Sequence, residues 1–268
     1  MIHLKGHSAL VTGSTKGVGK AIVEAFAAAG ANVVIHGRRE SPESEEVLAN
    51  CRAAKVTAVF ITGDLSGPTE TVVDEVFDKA ISVMPDIDIL VNNAGTYIDK
   101  PYLEMDLATY GTTMRLNVAS PYFLTQRFAR RWIEKQTAGR VLMIGSINGQ
   151  LAEPVHTCYD ASKGAVAMMV KSCCVSLAPH RIRVNGLAPG LVSTPLTSII
   201  EEDPNFKSWM RLHTPNGEVP GPEVCGDGAV YLVSDAAQHV HGHMLMVDGG
   251  MSGWQQPDMP QGWSGKQT

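Results

Sequence analysis

One stretch near the amino terminus limits the fold more than any other. Ser8-Ala9-Leu10-Val11-Thr12 is a short apolar run that ends in Gly13-Ser14-Thr15-Lys16-Gly17-Val18-Gly19. An Ala-rich helical pattern follows to about Ala29, where Gly30 supplies the stop. Asn32-Val33-Val34-Ile35-His36 then reads as a second strand. Glycines at 13, 17 and 19 on a strand-to-helix turn let the backbone approach a pyrophosphate, which lies over the free N–H groups of the helix. A glycine-rich loop alone is also what a tight turn needs; the strand before it and the helix and strand after it give it its meaning.

The second strand runs into Gly37-Arg38-Arg39. In dinucleotide folds an acidic residue here holds the ribose 2′-hydroxyl, whereas Arg accommodates a 2′-phosphate. Gly37 stands near the expected acid with Arg38 just after it, and Lys16 adds positive charge, so NADP(H) is favoured over NAD(H). Arg39 also reads as a solvated turn residue.

Size allows one large α/β unit or two small ones, and the composition suits a well-buried core. The chain has 268 residues, 44% of them hydrophobic, and a formal net charge of −5. No basic stripe points to nucleic acid. A run of about 18 apolar residues is not evident, so a membrane span is not expected. The amino terminus enters a strand pattern without a cleavable apolar leader, which reads as cytoplasmic. Cys51, Cys158, Cys173, Cys174 and Cys225 are odd in number and lack metal-like spacing. They suit reduced thiols; Cys158, beside Tyr159, reads as a core-filling residue or a reactive one.

Further along, Ser41 to Ala54 reads as a helix and Val56 to Ile61 as a third strand, ending at Gly63-Asp64-Leu65. Asp64 is placed either to accept from an adenine amino group or to cap the helix starting near Pro68. Ile87 to Val91 is a fourth strand, ending in Asn92-Asn93-Ala94-Gly95. A long helix is expected from about Leu107 to Lys135, with Asn117 inside it as a kink or a functional group. Val141-Leu142-Met143-Ile144 is the fifth strand, and Ser146 sits at its carboxyl end, the ligand edge of an open parallel sheet.

The next helix, reaching about Ala178, carries Tyr159 and Lys163 four residues apart and hence on one face. An ammonium beside a phenol favours the phenolate, so Tyr159 is expected to titrate below about 10. Such a phenol exchanges a proton with a carbonyl or alcohol oxygen, with Ser146 as a hydrogen-bonding partner. By itself the spacing is common in helices.

Arg181 to Leu187 reads as a sixth strand, ending in Ala188-Pro189-Gly190. Thr194 to about Gly221 shows little pattern and suits a substrate lid or a surface excursion. Pro222 to Ser234 is expected to be helical and Met244 to Val247 a final strand. His239, His241 and His243 alternate before it and would share one face of an extended segment; lacking a fourth ligand, they are not expected to bind metal. From Met251 the tail is polar, with Trp254 and Trp263.

Taken together, Thr12-Gly13-x-x-x-Gly17-x-Gly19, Asp64, Asn92-Asn93-Ala94-Gly95, Asn117, Ser146, Tyr159-x-x-x-Lys163, Pro189-Gly190 and Thr194 resemble the short-chain dehydrogenase/reductase family from about Lys5 to Gly250. The four-residue Tyr-to-Lys gap separates the chain from the divergent enoyl reductases, and the glycine spacing from the extended epimerases. The resemblance implies a Rossmann-like, doubly wound, seven-stranded parallel sheet between helices, as one NAD(P)-binding domain over 1–250 with a lid at about 194–221. Tyr159 would be the general acid or base. Lys163 would lower its pKa and hold the nicotinamide ribose, Ser146 would orient the substrate oxygen, and Asn117 would organise a water. The implied cofactor residues are Gly13, Ser14, Thr15, Lys16, Gly17, Val18, Gly19, Gly37, Arg38, Arg39, Asp64, Leu65, Asn93, Ala94, Gly95, Tyr159, Lys163, Pro189, Gly190, Val192 and Thr194. Family members form homotetramers or homodimers through the Asn117 and Tyr159 helices, and in tetramers the last strand adds a contact.

Tyr97, Gln150, Glu153 and His156 would add polar contacts near the reacting carbon. That tilts the expected substrate toward a polyol, sugar acid or other polar ketone, with a 3-oxoacyl thioester as the alternative. A non-catalytic dinucleotide-binding regulator is the reading from another class; it has no use for Ser146, Tyr159 and Lys163 together.

Overall fold

The computed structural model describes residues 2–197 and 202–253. Its centre is a sheet of seven parallel strands, β1 (Ser8–Val11), β2 (Asn32–Gly37), β3 (Ala58–Thr62), β4 (Ile89–Asn92), β5 (Arg140–Ile144), β6 (Arg183–Pro189) and β7 (Met244–Val247), in the order β3-β2-β1-β4-β5-β6-β7. All six pairings are parallel. Such pairing needs a long crossover between strands, and the crossovers cover both faces.

Alternate residues of each strand face opposite layers. Ala9, Val11, Val33, Ile35, Ile89 and Val91 join a core with α1 (Gly17–Ala28), α2 (Pro42–Ala53) and, as numbered here, α8 (Val224–Val233). Leu10, Val34, Leu90, Val141 and Met143 join a second core with α3 (Thr69–Val83), α5 (Ser120–Glu134) and α6 (Thr157–Leu177). By length and composition α6 alone among the described helices would reach across a bilayer. It buries Val166, Met169 and Val170 in the second core.

Four expectations need correcting. The strand expected from Arg181 begins at Arg183, because Arg181 is left-handed (φ 60°), and it runs on to Pro189 by pairing with Val247. The long helix is α4 (Leu107–Met114) and α5 joined by a π turn, Arg115–Ala119, which holds Asn117. The segment after Thr194 has more structure than its pattern showed. Pro195–Thr197 is a 3-10 turn and α7 (Pro204–Leu212) is a helix, capped by the Asp203 carboxylate accepting from the Asn205 and Phe206 N–H groups. Finally, Gly242 (φ 68°) breaks the extended path, so His239, His241 and His243 do not form a shared row. Among the described residues no group of three His, Cys, Asp or Glu side chains is placed to hold a metal. Trp254 and Trp263 lie outside the described residues.

Beneath the amino ends of the strands, Arg140 bridges Asp88 (2.9 Å) and Asp235 (2.7 Å), and His7 reaches Asp88 at 2.6 Å. The carboxyl ends carry the loops of the cleft.

Candidate active site

A cleft of about 420 Å³ opens over the carboxyl ends of the strands. It crosses the point between β1 and β4 where strand order reverses, the place open parallel sheets offer to ligands.

The loop after β1 is stitched to the loop after β4. Thr12 Oγ1 accepts from the N–H groups of Asn93 (2.9 Å) and Ala94 (3.0 Å) and donates to the Val91 carbonyl (3.2 Å). Asn93 Nδ2 donates to the carbonyls of Thr12 and Gly13, both at 2.9 Å. Two glycines have no substitute in this packing. Gly13 is left-handed (φ 61°), and a Cβ there would stand 2.9 Å from Ala94 Cα; one on Gly19 would meet Asn93 Nδ2 at 2.3 Å. Ser14 serves the fold: it is fully buried, donates from Oγ to the Val11 carbonyl and accepts from the His36 N–H.

Helix α1 has no side-chain cap at its start, so the N–H groups of its first turn face the cleft unclaimed by any capping side chain. The same end holds the exposed Lys16 and Arg38 in its lining. Arg39 stands outside the lining, near enough that it and Lys16 help hold the Glu43 carboxyl low, after its hydrogen bond with Ser41. Asp64 does not cap α3. Its Oδ1 accepts from the Ser66 N–H (3.0 Å) and hydroxyl (2.6 Å), which lowers its pKa with further help from Arg38. Bare helix-end N–H groups, a glycine cradle and two cations fit a dinucleotide carrying an extra phosphate. Thr15, Gly17, Val18, Gly37, Leu65, Gly95, Pro189, Gly190, Val192 and Thr194 line the same cleft, as do His36, Ser66, Thr96 and Leu116, which the sequence reading did not single out.

Ser146, Tyr159 and Lys163 come together at the other end. Lys163 is buried; its Nζ donates to the Ile144 carbonyl at 2.9 Å and lies 5.5 Å from the centre of the Tyr159 ring. Burial pulls the Lys163 ammonium down to about 8. The expectation for Tyr159 is reversed. Burial raises its phenol above the ordinary value, only partly offset by a hydrogen bond with Ser146, while Asp160 and Glu153 push further upward. Loss of hydration penalises the phenolate more than the Ser146 hydrogen bond favours it.

Asn117 is 3% exposed, and its side chain ties the π turn to its neighbours. Oδ1 accepts from the Thr96 N–H (2.8 Å), and Nδ2 donates to the Thr96 carbonyl (2.9 Å) and Ser162 Oγ (3.0 Å). Its amide therefore links the loop after β4 to α6.

Tyr97 packs edge-on against Tyr159, ring centres 5.3 Å apart. Its hydroxyl lies 2.6 Å from His156 Nε2, which is 2.9 Å from Asp99. Burial, and then Asp99, push the Tyr97 phenol well above its ordinary range, so it stays protonated. Gln150 is exposed and outside the lining, and Cys158 is buried under Tyr110.

This fold and cleft are those of a nucleotide-dependent oxidoreductase, and comparison with known proteins supplies the family. A family model described as enoyl-(acyl carrier protein) reductase matches residues 13–252. The 3-oxoacyl-(acyl-carrier-protein) reductase FabG of Aquifex aeolicus is 33% identical over 253 residues, covering 93% of this chain and 99% of that one. The 5-keto-D-gluconate 5-reductase of Escherichia coli is 32% identical over 251 residues, covering 94% and 97%. Among solved structures, a gluconate 5-dehydrogenase from Burkholderia cenocepacia in complex with NADP and tartrate superposes with a TM-score of 0.88 at 32% identity, covering 95% and 98%. The chain belongs to the short-chain dehydrogenase/reductase family.

Proposed function

We propose that the protein is an NADP(H)-dependent oxidoreductase acting between a ketone and a secondary alcohol of a polar small molecule, of the sugar-acid or polyol class. The observation that carries this reading is the convergence of Ser146, Tyr159 and Lys163 at one end of a cleft whose other end presents Lys16, Arg38 and the bare start of α1. Residues around the glycine loop would hold the adenosine and phosphates, and Lys163, Pro189, Gly190, Val192 and Thr194 the nicotinamide half. NADP(H) supplies or accepts the hydride when bound.

The chain's own part is proton transfer and alignment. Tyr159, kept protonated by burial, gives its proton to the ketone oxygen and so avoids a free alkoxide in a poorly hydrated site. Ser146 fixes that oxygen, and Lys163, held by the Ile144 carbonyl, keeps positive charge beneath the phenol as it ionises. Asn117 holds the floor of the site and would organise a water for proton return. Residues 1–250 act as one domain, with 194–221 closing over the substrate.

The gluconate-acting relatives favour a sugar acid or polyol; FabG favours the second reading, a 3-oxoacyl thioester. Following NADPH absorbance with a carbonyl panel holding 5-keto-D-gluconate and acetoacetyl-coenzyme A decides between them. Tyr159→Phe should abolish turnover, by at least a thousandfold, and leave NADPH binding within about twofold. An active Tyr159→Phe variant would sink the mechanism, and NADPH binding without turnover across the panel would leave a regulator. Exposed Leu103 (95%), Leu107 (89%), Met168 (61%) and Val175 (77%) beside and along α4 and α6 support assembly as a homotetramer or homodimer, which we place in the cytoplasm.

A further inference from the structure

Asn148 lies two residues beyond Ser146 in the 3-10 turn after β5 and is 8% exposed. Its Nδ2 donates to Asp160 Oδ1 at 2.9 Å and to Glu153 Oε1 at 3.2 Å. Asp160 is pinned in turn, because its Oδ2 accepts from the Glu153 N–H at 3.0 Å. Carboxylate oxygens accept, so the NH₂ side of the Asn148 amide has to face them. That leaves Oδ1 turned toward Ser146, whose hydroxyl donates to it at 3.2 Å. The Asn148 backbone N–H donates to the same Ser146 Oγ at 3.1 Å.

A serine hydroxyl has one proton and two lone pairs. Asn148 engages the proton and one lone pair, so the second lone pair of Ser146 is left for its hydrogen bond with Tyr159. At 3.2 Å the bond holding the proton is long, and the proton is readily yielded to a stronger acceptor such as a substrate oxygen. The two carboxylates thus reach the reacting centre through one amide whose orientation they dictate.

We infer that Asn148, held by Asp160 and Glu153, is a positioning residue that sets the rotamer and resting proton of Ser146 and thereby how Ser146 meets the substrate oxygen. This rests on the role of Ser146 proposed above. The test is a double-mutant cycle on the full-length enzyme with NADPH and 5-keto-D-gluconate, or acetoacetyl-coenzyme A where that is the ketone turned over. Asn148→Leu should lower kcat at least tenfold, with KM within threefold and the NADPH Kd within twofold. In a Ser146→Ala background the same change should cost less than twofold, because Asn148 acts only through that hydroxyl. Asp160→Asn, which keeps the shape and frees the amide to turn over, should give a smaller kcat loss that also vanishes in Ser146→Ala. It serves as the second variant should Asn148→Leu fail to fold. Equal losses with and without Ser146, or losses confined to KM or NADPH binding, would overturn the inference. If Tyr159→Phe is inactive while Asn148→Leu and Asp160→Asn keep full kcat, this inference alone fails; if no ketone is turned over, the reading beneath it fails as well.

Discussion

Arg38 is the residue to which we assign the cofactor preference. It stands exposed beyond Gly37, whose place in related dinucleotide folds an acid would take, and a guanidinium suits a phosphate better than a ribose hydroxyl. Replacing Arg38 with Ala should weaken NADPH binding at least tenfold and change NADH by less than threefold, as titrated by cofactor fluorescence; equal losses would refute the preference. Lys163 gives a pH signature in the free enzyme. Its folded pKa of about 8 lies below the ordinary 10.5. The unfolded chain therefore binds the extra proton between those values, and stability rises with pH across about pH 8 to 10.5. The full effect of such a shift is roughly 3 kcal/mol, an upper bound. Below pH 8 the destabilisation is constant. Urea midpoints across this window should rise relative to Lys163→Met, and parallel curves for the two proteins would refute the assignment.

At the scale of elements, the buried Arg183 does what no helix cap in the sequence suggested. From β6 its guanidinium donates to the carbonyls of Leu232 (3.0 Å), Val233 (3.2 Å), Ser234 (2.8 Å) and Ala237 (2.7 Å), closing the end of α8. Arg183→Met would strand several buried acceptors, at a cost of about 3 kcal/mol or more. A loss of that size in urea unfolding is expected, while a change below about 1 kcal/mol would show the carbonyls are satisfied otherwise. The strands were legible because Val33, Val34 and Ile35, for example, form an unbroken apolar run that suits a strand covered on both faces, whereas no such run announces their order in the sheet. Ser146, Tyr159 and Lys163 were legible because their placement follows from a strand end and a helical repeat. The direction of the Tyr159 shift was not, since it depends on how much water the closed cleft leaves the phenol. Asn148 escaped notice too: its significance lies in Asp160 and Glu153 folding back onto it, a contact no spacing rule announces. Helix α7 was missed because it is only nine residues long and stands among Pro204, Pro215 and Pro220, which read as breakers of a patterned segment.

For the whole molecule, the exposed apolar side chains beside and along α4 and α6 set a testable assembly. Leu103, Leu107, Met168 and Val175 are each more than half exposed on these elements, which makes them the candidates for a covered face. Val175→Glu with Leu107→Glu should shift the sedimentation coefficient toward the monomer without changing far-ultraviolet dichroism. An unchanged wild-type assembly would place the contact elsewhere.

The stitching of Thr12 to Asn93 and Ala94 also bears on the order in which the chain becomes competent. β1 finds β2 through a short crossover, but its other neighbour, β4, lies about eighty positions away, as the Ser8–Asp88 and Thr12–Asn93 bonds count it. Contacts that far apart pay the largest loop-closure entropy and form late. A nascent chain emerging as far as β3 would own the complete glycine motif and still have an open pocket wall. Nucleotide, present during refolding, would therefore select chains in which the two halves have already met, and act as a clasp on the finished sheet.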